Sequence, residues 1–331
     1  MNDDQLPLFS DPESLTADFE YSAEDSLKTP EWILSLLNIK GIGSRKALLL
    51  IKNFDSIQQL MSASDNSIKK IIGKTEVDFS KLERVDASQP DDVKIITYFD
   101  SLYPVGLRDL PDAPPLLWYR GIIPTNRSVA IVGTRNADEW GKRTTRLLAR
   151  KCGDSGISVV SGLALGIDTE AHVGCLETIT PTIAILACDV RHPTPKTNTK
   201  LSEQIIEKGG CLIAEVPPGT VTESFALVAR NRLQAAWAQK LVVTQCGVPS
   251  GTLHTVKAAI ELGREVISLT PPNDAVGSQY EGNWRLAERF NFDGKILGGS
   301  KKFQDSLKDR KYGADSIIGS ASEIENFLRD A

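Results

Sequence analysis

The sequence predicts an α/β fold, a parallel sheet with helices on both faces, preceded by a small all-α module. Three observations carry this expectation. Short runs of aliphatic, often β-branched residues recur between residues 129 and 269, stretches with helical spacing alternate with them, and glycine-bearing turns stand where the runs end. A continuous apolar run, rather than an in-and-out alternation, is the mark of a strand covered on both faces.

The elements follow in order. Over the first 25 residues Asp3, Asp4, Asp11, Glu13, Asp18, Glu20, Glu24 and Asp25 face no Lys or Arg. Such a stretch cannot bury enough apolar surface to order itself, so residues 1–28 read as a flexible acidic tail. Thr29 is placed as an N-cap and Pro30 at the first helical position, where its missing N–H costs nothing. Trp32, Ile33, Leu36 and Leu37 then recur at helical spacing. Ile39-Lys40-Gly41-Ile42-Gly43-Ser44-Arg45-Lys46 and the apolar residues 47–51 have the form of a helix-hairpin-helix, or SAM-like, module over residues 29–77. Its glycines could turn N–H groups to a phosphate beside Arg45 and Lys46, although a plain αα-hairpin has the same pattern. Residues 78–93, polar and containing Pro90, read as a linker.

From Lys94 to the end the texture is that of one large domain. Residues 129–132 open the strand series, followed by a helix over 140–152. A second strand, 157–160, leads to a helix through 171–176. Strands 183–186, 211–214, 241–244 and 266–269 continue it, with helices such as 201–207 and 254–262 between. In sheets of this kind ligands bind outside the carboxyl ends of the strands.

At those ends stand Gly133-Thr134-Arg135, then Ser161-Gly162-Leu163-Ala164-Leu165-Gly166-Ile167-Asp168, then Ser250-Gly251-Thr252. Gly and hydroxyl residues at strand-to-helix turns can aim backbone N–H and O–H donors at one anion with no Cβ in the way. Arg135 adds a planar charge able to grip phosphate in two places. Neither G-x-G-x-x-G nor G-x-x-x-x-G-K-[ST] is present, which argues against a dinucleotide cofactor and against an ATP motor. No apolar stretch approaches the ~20 residues of a membrane span, and Met1-Asn2-Asp3-Asp4 does not open a signal peptide, so a cytosolic protein is expected. Cys152, Cys175, Cys188, Cys211 and Cys246 are scattered without metal spacing and read as small buried hydrophobes; no cofactor is implied. The formal net charge of −5 opposes a polyanionic partner, but the excess is concentrated in the tail.

With these motifs in order, the chain resembles the DprA/Smf family. The similarity rests on Val129-Ala130-Ile131-Val132-Gly133-Thr134-Arg135, on 161–168 with Ala171-His172, and on Asn231-Arg232 followed by Ser250-Gly251-Thr252 and Thr255. Upstream, Tyr103-Pro104 and Pro114-Pro115-Leu116-Leu117-Trp118-Tyr119-Arg120-Gly121 resemble the segment that precedes the family's first Rossmann strand. The resemblance implies an extended Rossmann-like domain over 94–331 that binds single-stranded DNA without catalysis and forms homodimers. It also implies delivery of the strand to a RecA-type recombinase in natural transformation, or a related defence role. It further implies that Arg135 grips phosphate on the turn of Gly133 and Thr134, and that Ser161, Gly162, Leu165 and Gly166 line the same pocket. Asn198 would match the family's P-x-x-N, and Asn231, Arg232, Ser250, Gly251 and Thr252 would close the groove. A C-terminal winged helix, which many members of the family append, is not expected.

This chain departs from the family at Leu165, where a larger or basic residue is usual, and at Gln245, where an acid is usual. Residues 191–195 carry two extra positions, and an insertion holds Lys301-Lys302. Two other functions fit an α/β sheet with anion-binding turns. One is a phosphoribohydrolase-like enzyme, whose P-G-G-x-G-T turn is matched only by Ser250-Gly251-Thr252. The other is a nucleotide-sensing module. Asp168 and His172, one helical turn apart, invite a general-base role; capping of the helix by Asp168 and packing of His172 beneath it is the expectation preferred here. Trp118, Trp140, Trp237 and Trp284 are expected in the core before they are expected on bases, and Arg143 and Arg146 on a solvated face beside Arg135.

Overall fold

A computed structural model describes residues 23–220, 224–288, 292–308, 310 and 312–330. The acidic tail expected at the N-terminus lies, up to residue 22, outside the described residues.

Four short helices come first, α1 (Pro30–Leu37), α2 (Ser44–Asn53), α3 (Ile57–Ser62) and α4 (Asp65–Ile72). Thr29 precedes α1 and Pro30 begins it, but the Thr29 side chain makes no capping bond. Ser56 and Ser64 cap α3 and α4 through Gln59 N and Ser67 N. Gly41 takes φ +91°, the left-handed turn between α1 and α2 that a side chain would strain.

The sheet is built from β1 (Lys94–Thr97), β2 (Leu116–Gly121), β3 (Ser128–Val132), β4 (Ser158–Ser161), β5 (Thr182–Leu186), β6 (Cys211–Ala214), β7 (Lys240–Val243), β8 (Glu265–Leu269) and β9 (Ser316–Ile318). Between and after these strands run α5 (Glu139–Asp154), α6 (Ile167–Leu176), α7 (Thr199–Glu207), α8 (Ser224–Trp237), α9 (Thr252–Glu261), α10 (Glu281–Ala287), α11 (Lys301–Ser306) and α12 (Ala321–Asp330). The spatial order is β1-β2-β6-β5-β4-β3-β7-β8-β9. From β6 to β9 all pairings are parallel, and β2 joins this block antiparallel to β6 with β1 outside it.

Both faces are covered. On β3, Ala130 and Val132 pack with Leu233 of α8 and Val256 of α9, while Val129 and Ile131 pack with Leu148 of α5, Ala171 of α6 and Phe327 of α12. That alternation explains why residues 129–132 are apolar at every position. The helical module is not a separate body. Ile33, Leu36 and Leu50 share one apolar cluster with Leu116 and Trp118 of β2, Leu186 of β5 and Ile205 of α7. The 78–93 segment is tied to it as well, since Ser35 Oγ accepts from Val85 N at 3.0 Å and Ala87 and Val93 are buried.

Candidate functional site

The chain leaves β3 toward β4 on one side and returns to β7 on the other, so the connections behind β3 and β7 diverge. Between such connections a crevice opens. Here it is a cleft of about 370 Å³, walled by Gly133, Thr134 and Arg135 behind β3, by Ser250, Gly251 and Thr252 behind β7, and by Arg230, Asn231 and Gln234 of α8. A smaller cavity of about 190 Å³ shares Arg135, Ala164, Leu227 and Arg230 with it and adds Gly162 and Leu165. The sequence-predicted turns therefore converge.

They converge because backbones touch. Thr134 N donates to Gln245 O at 2.8 Å and Ile167 N to Thr134 O at 3.1 Å, locking the three loops together. A Cβ on Gly133 would lie 2.7 Å from Gln245 O, and one on Gly166, already at φ +72°, 2.5 Å from Thr134 O. Asn231 Nδ2 reaches Gly251 O at 3.2 Å and joins α8 to the β7 loop.

Buried backbone N–H groups must find partners, and some of the donors of these turns find theirs within the turns. Gly162 N and Ala164 N donate to the Asp168 carboxylate at 3.1 and 3.4 Å, Asn136 N to Thr134 Oγ1 at 3.2 Å, and Thr252 N to Ser250 Oγ at 3.2 Å. The cleft also presents side-chain chemistry. Arg135 is exposed and pairs with no carboxylate among the described residues. Arg230, 4% exposed, lies below it; its Nη1 donates to Ile185 O at 2.6 Å, and its Nε has no partner among the described residues. Gln234, one helical turn on and 2% exposed, leaves Nε2 unpartnered as well. Burial presses the Arg230 guanidinium below its usual pKa, Asp168 opposes this, and the Arg135 charge adds to it.

Other expected site residues stand behind the walls. Ser161 is fully buried, with Oγ bonded to Ile131 O at 2.7 Å. Gly166 lies under the Arg135 backbone as the N-cap position of α6. Asn198 is buried, and its amide donates to Leu163 O at 2.9 Å, Ala164 O at 3.3 Å and Thr169 Oγ1 at 2.9 Å, shaping the 161–168 loop without lining the cleft. Arg232 turns away, held by Asp112 and Glu215 at 2.8 Å each. The geometry puts Arg230, not Arg232, at the cleft. Asp168 caps the Gly162–Ala164 turn from inside the first turn of α6, so the helix-capping expectation is corrected, and burial pushes its carboxyl up. His172 is buried as expected, with Nδ1 2.8 Å from Thr182 Oγ1. All five cysteines are buried and free, and no helix among the described residues is long and apolar enough to cross a membrane. Of the tryptophans, Trp118 is core, Trp140 and Trp237 are half-buried, and Trp284 is 41% exposed.

Gln245 is legible only in three dimensions. Fully buried, it accepts from Asp138 N at 3.1 Å and donates to Asp138 Oδ2 at 2.9 Å, while Asp138 Oδ1 caps α5 through Gly141 N at 2.9 Å.

Fold and cleft together define a Rossmann-like protein with a cationic crevice at the switch point of its sheet. The family model for DNA recombination-mediator protein A matches residues 94–290, more than half of the chain, and the chain belongs to that family. It is 32% identical over 253 residues to the protein Smf of Synechocystis, covering 71% of this chain and 63% of that one. It is 31% identical over 216 residues to the DNA processing protein DprA of Bacillus subtilis, covering 63% of this chain and 72% of that one. The chain thus spans less than two thirds of the first of these relatives. Among solved structures, DprA of Streptococcus pneumoniae superposes with a TM-score of 0.64 at 26% identity, over 78% of this chain and 92% of that one. DprA of Helicobacter pylori, described for its single-stranded DNA binding mode, shares the fold with a TM-score of 0.54 at 22% identity, over 72% of this chain and 96% of that one.

Proposed function

We propose that this protein is a DNA-processing protein that holds the phosphodiester backbone of single-stranded DNA in the cleft between the β3 and β7 loops, by binding and not by catalysis. The observation that carries the reading is the pair Arg135 and Arg230. One guanidinium is exposed and free of carboxylates among the described residues, the other is buried with an unpartnered Nε, and both line one cleft. A buried guanidinium short of acceptors is rare, and a phosphate held at the cleft wall would offset its charge. Asn231, Ser250 and Thr252 supply the surrounding polar edge, and α9 directs the positive end of its dipole at the same space. Asp168 lines the cleft, but its carboxylate accepts from Gly162 N and Ala164 N, and His172 is buried against Thr182. Phosphate grip carries no sequence information, so binding tolerates any base.

Family membership supports the finer reading: cytosolic action, two copies paired, and transfer of the strand to a RecA-type recombinase during DNA uptake or a related defence process. The decisive experiment is fluorescence anisotropy with labelled oligothymidine at two salt concentrations. Arg135→Ala should weaken binding about 10- to 100-fold, as loss of a charge-assisted bond of ~1.5–3 kcal/mol requires, with an unchanged circular dichroism spectrum. Unaltered affinity sinks the reading, and tight calorimetric binding of mononucleotides would favour a nucleotide sensor in its place.

A further inference from the structure

Helix α5 carries five cations, Lys142, Arg143, Arg146, Arg150 and Lys151, against two acids, Glu139 and Asp154, in a chain whose net charge is −5. Placement sharpens the point. Lys142 and Arg143 sit close to the N-terminus of α5, where the helix dipole disfavours cations, so their position does not serve the helix. A groove of about 680 Å³ runs along the outer face of α5, lined by Trp140, Arg143, Leu147 and Arg150 together with Glu139 and Glu177 among others. Glu177 is shared by Arg146 and Arg150, and Lys142 covers Glu139 at 3.2 Å. Arg143 pairs with no carboxylate among the described residues. Leu147 is 50% exposed. At the end nearest the cleft the Trp140 ring rests edge-on against Tyr280, centroids 5.7 Å apart, and Tyr280 tilts against the exposed Trp284 at 5.9 Å. Tyr280 is itself hydrogen-bonded to Asp138, the cap of α5.

We propose that the outer face of α5 is a second nucleic-acid contact, along which a single strand leaving the cleft continues, its phosphates taken by Arg143 and Arg150 and a base stacked on Trp140. The proposal rests on the reading of the cleft given above. Arg135 precedes α5 by four residues, so the β3 loop that walls the cleft leads directly into the helix that carries the groove. From Trp140 to Arg150 the helix rises ~15 Å, room for about four stacked nucleotides at ~3.4 Å each. Cations beside an aromatic ring are the combination that holds a strand irrespective of its sequence.

Two oligothymidines separate this surface from the cleft, one of about four nucleotides, the low end of single-strand site sizes, and one of about twenty. In the full chain, Arg143→Ala with Arg150→Ala should weaken the long oligomer roughly 5- to 10-fold and make its logarithmic salt slope shallower by about 1.4, ~0.7 for each phosphate no longer neutralised. The short oligomer should bind within about twofold of the original affinity. Trp140→Leu, which keeps an apolar side chain against Tyr280, should weaken only the long oligomer, because a base can no longer stack there. An unchanged long-oligomer affinity and slope in the double variant overturns the proposal, and so does an equal loss for both lengths. Arg135→Ala tests the cleft separately. Persistence of short-oligomer binding in that variant overturns the cleft reading, while the role of α5 is still decided by the long oligomer.

Discussion

Arg135, Arg230 and Arg232 are one residue type in three situations. Arg232 is neutralised by Asp112 and Glu215 and serves the fold, Arg230 is a buried guanidinium beneath the cleft, and Arg135 is free to meet a ligand. Gly162 decides whether Arg230 can lie where it does, because a Cβ at that position would fall inside the guanidinium. Gly162→Ala should therefore displace Arg230 and lower single-strand affinity about tenfold or more, beside an overpacking cost of ~1–3 kcal/mol. Anisotropy paired with thermal melting checks this, and a variant with native affinity would show that Arg230 takes no part in binding. Arg135 was legible in the sequence because it follows a glycine at a strand end. Arg230 was not, since it stands one residue before an equally plausible Asn231-Arg232 pair. The available signal was its spacing from Gln234, i to i+4, which sets two polar side chains on one face of α8 otherwise rich in apolar residues.

Among the elements, α5 shows how one amide organises a helix start. A glutamine at 245 can accept from Asp138 N–H and donate to the Asp138 carboxylate at once. An acid there could donate only while protonated. Burial raises the Asp138 carboxyl, but bonds from Gly141 N, Tyr280 and Gln245 outweigh it and hold Asp138 below its usual value. Gln245→Glu should set two carboxylates face to face. The new pair holds its proton to a higher pH than it does unfolded, so the variant regains stability as pH falls through the ordinary Glu range near ~4.3 and loses it as pH rises. Melting temperatures at pH 7 and near pH 4.5 test this, and a deficit that does not shrink on acidification argues against it. The pattern of apolar runs placed β3 to β8 within a residue or two of where they fall. It left β1, β2 and β9 unplaced. β1 and β9 are edge strands of four and three residues, and β2 runs antiparallel to β6, outside the parallel block.

Over the whole molecule, stability below neutrality should depend on His172. Burial, with the Arg230 charge as a smaller contribution, lowers its pKa to about 3, against ~6.5 in the unfolded chain. The unfolded state then binds a proton that the native state does not. Its contribution is full above ~6.5 and is lost as pH falls toward about 3, at up to ~1.4 kcal/mol per pH unit, or on the order of 2 kcal/mol by pH 5. Urea unfolding at pH 7 and pH 5 should show His172→Gln to be less pH-dependent than the parent; equal slopes would assign the loss to other groups.

Local chemistry in the chain determined the α/β class, the succession of the parallel strands and the Gly-Thr-Arg turn, because runs, turns and helix starts are decided by neighbours within a few residues. Tertiary structure alone decided that the helical module shares the core of the sheet, that Gly162 and Ala164 give their N–H groups to Asp168, and that Arg230 rather than Arg232 reaches the cleft. Those outcomes depend on which surfaces meet across the sheet, where burial and the need to satisfy each donor choose among side chains that look equivalent in sequence.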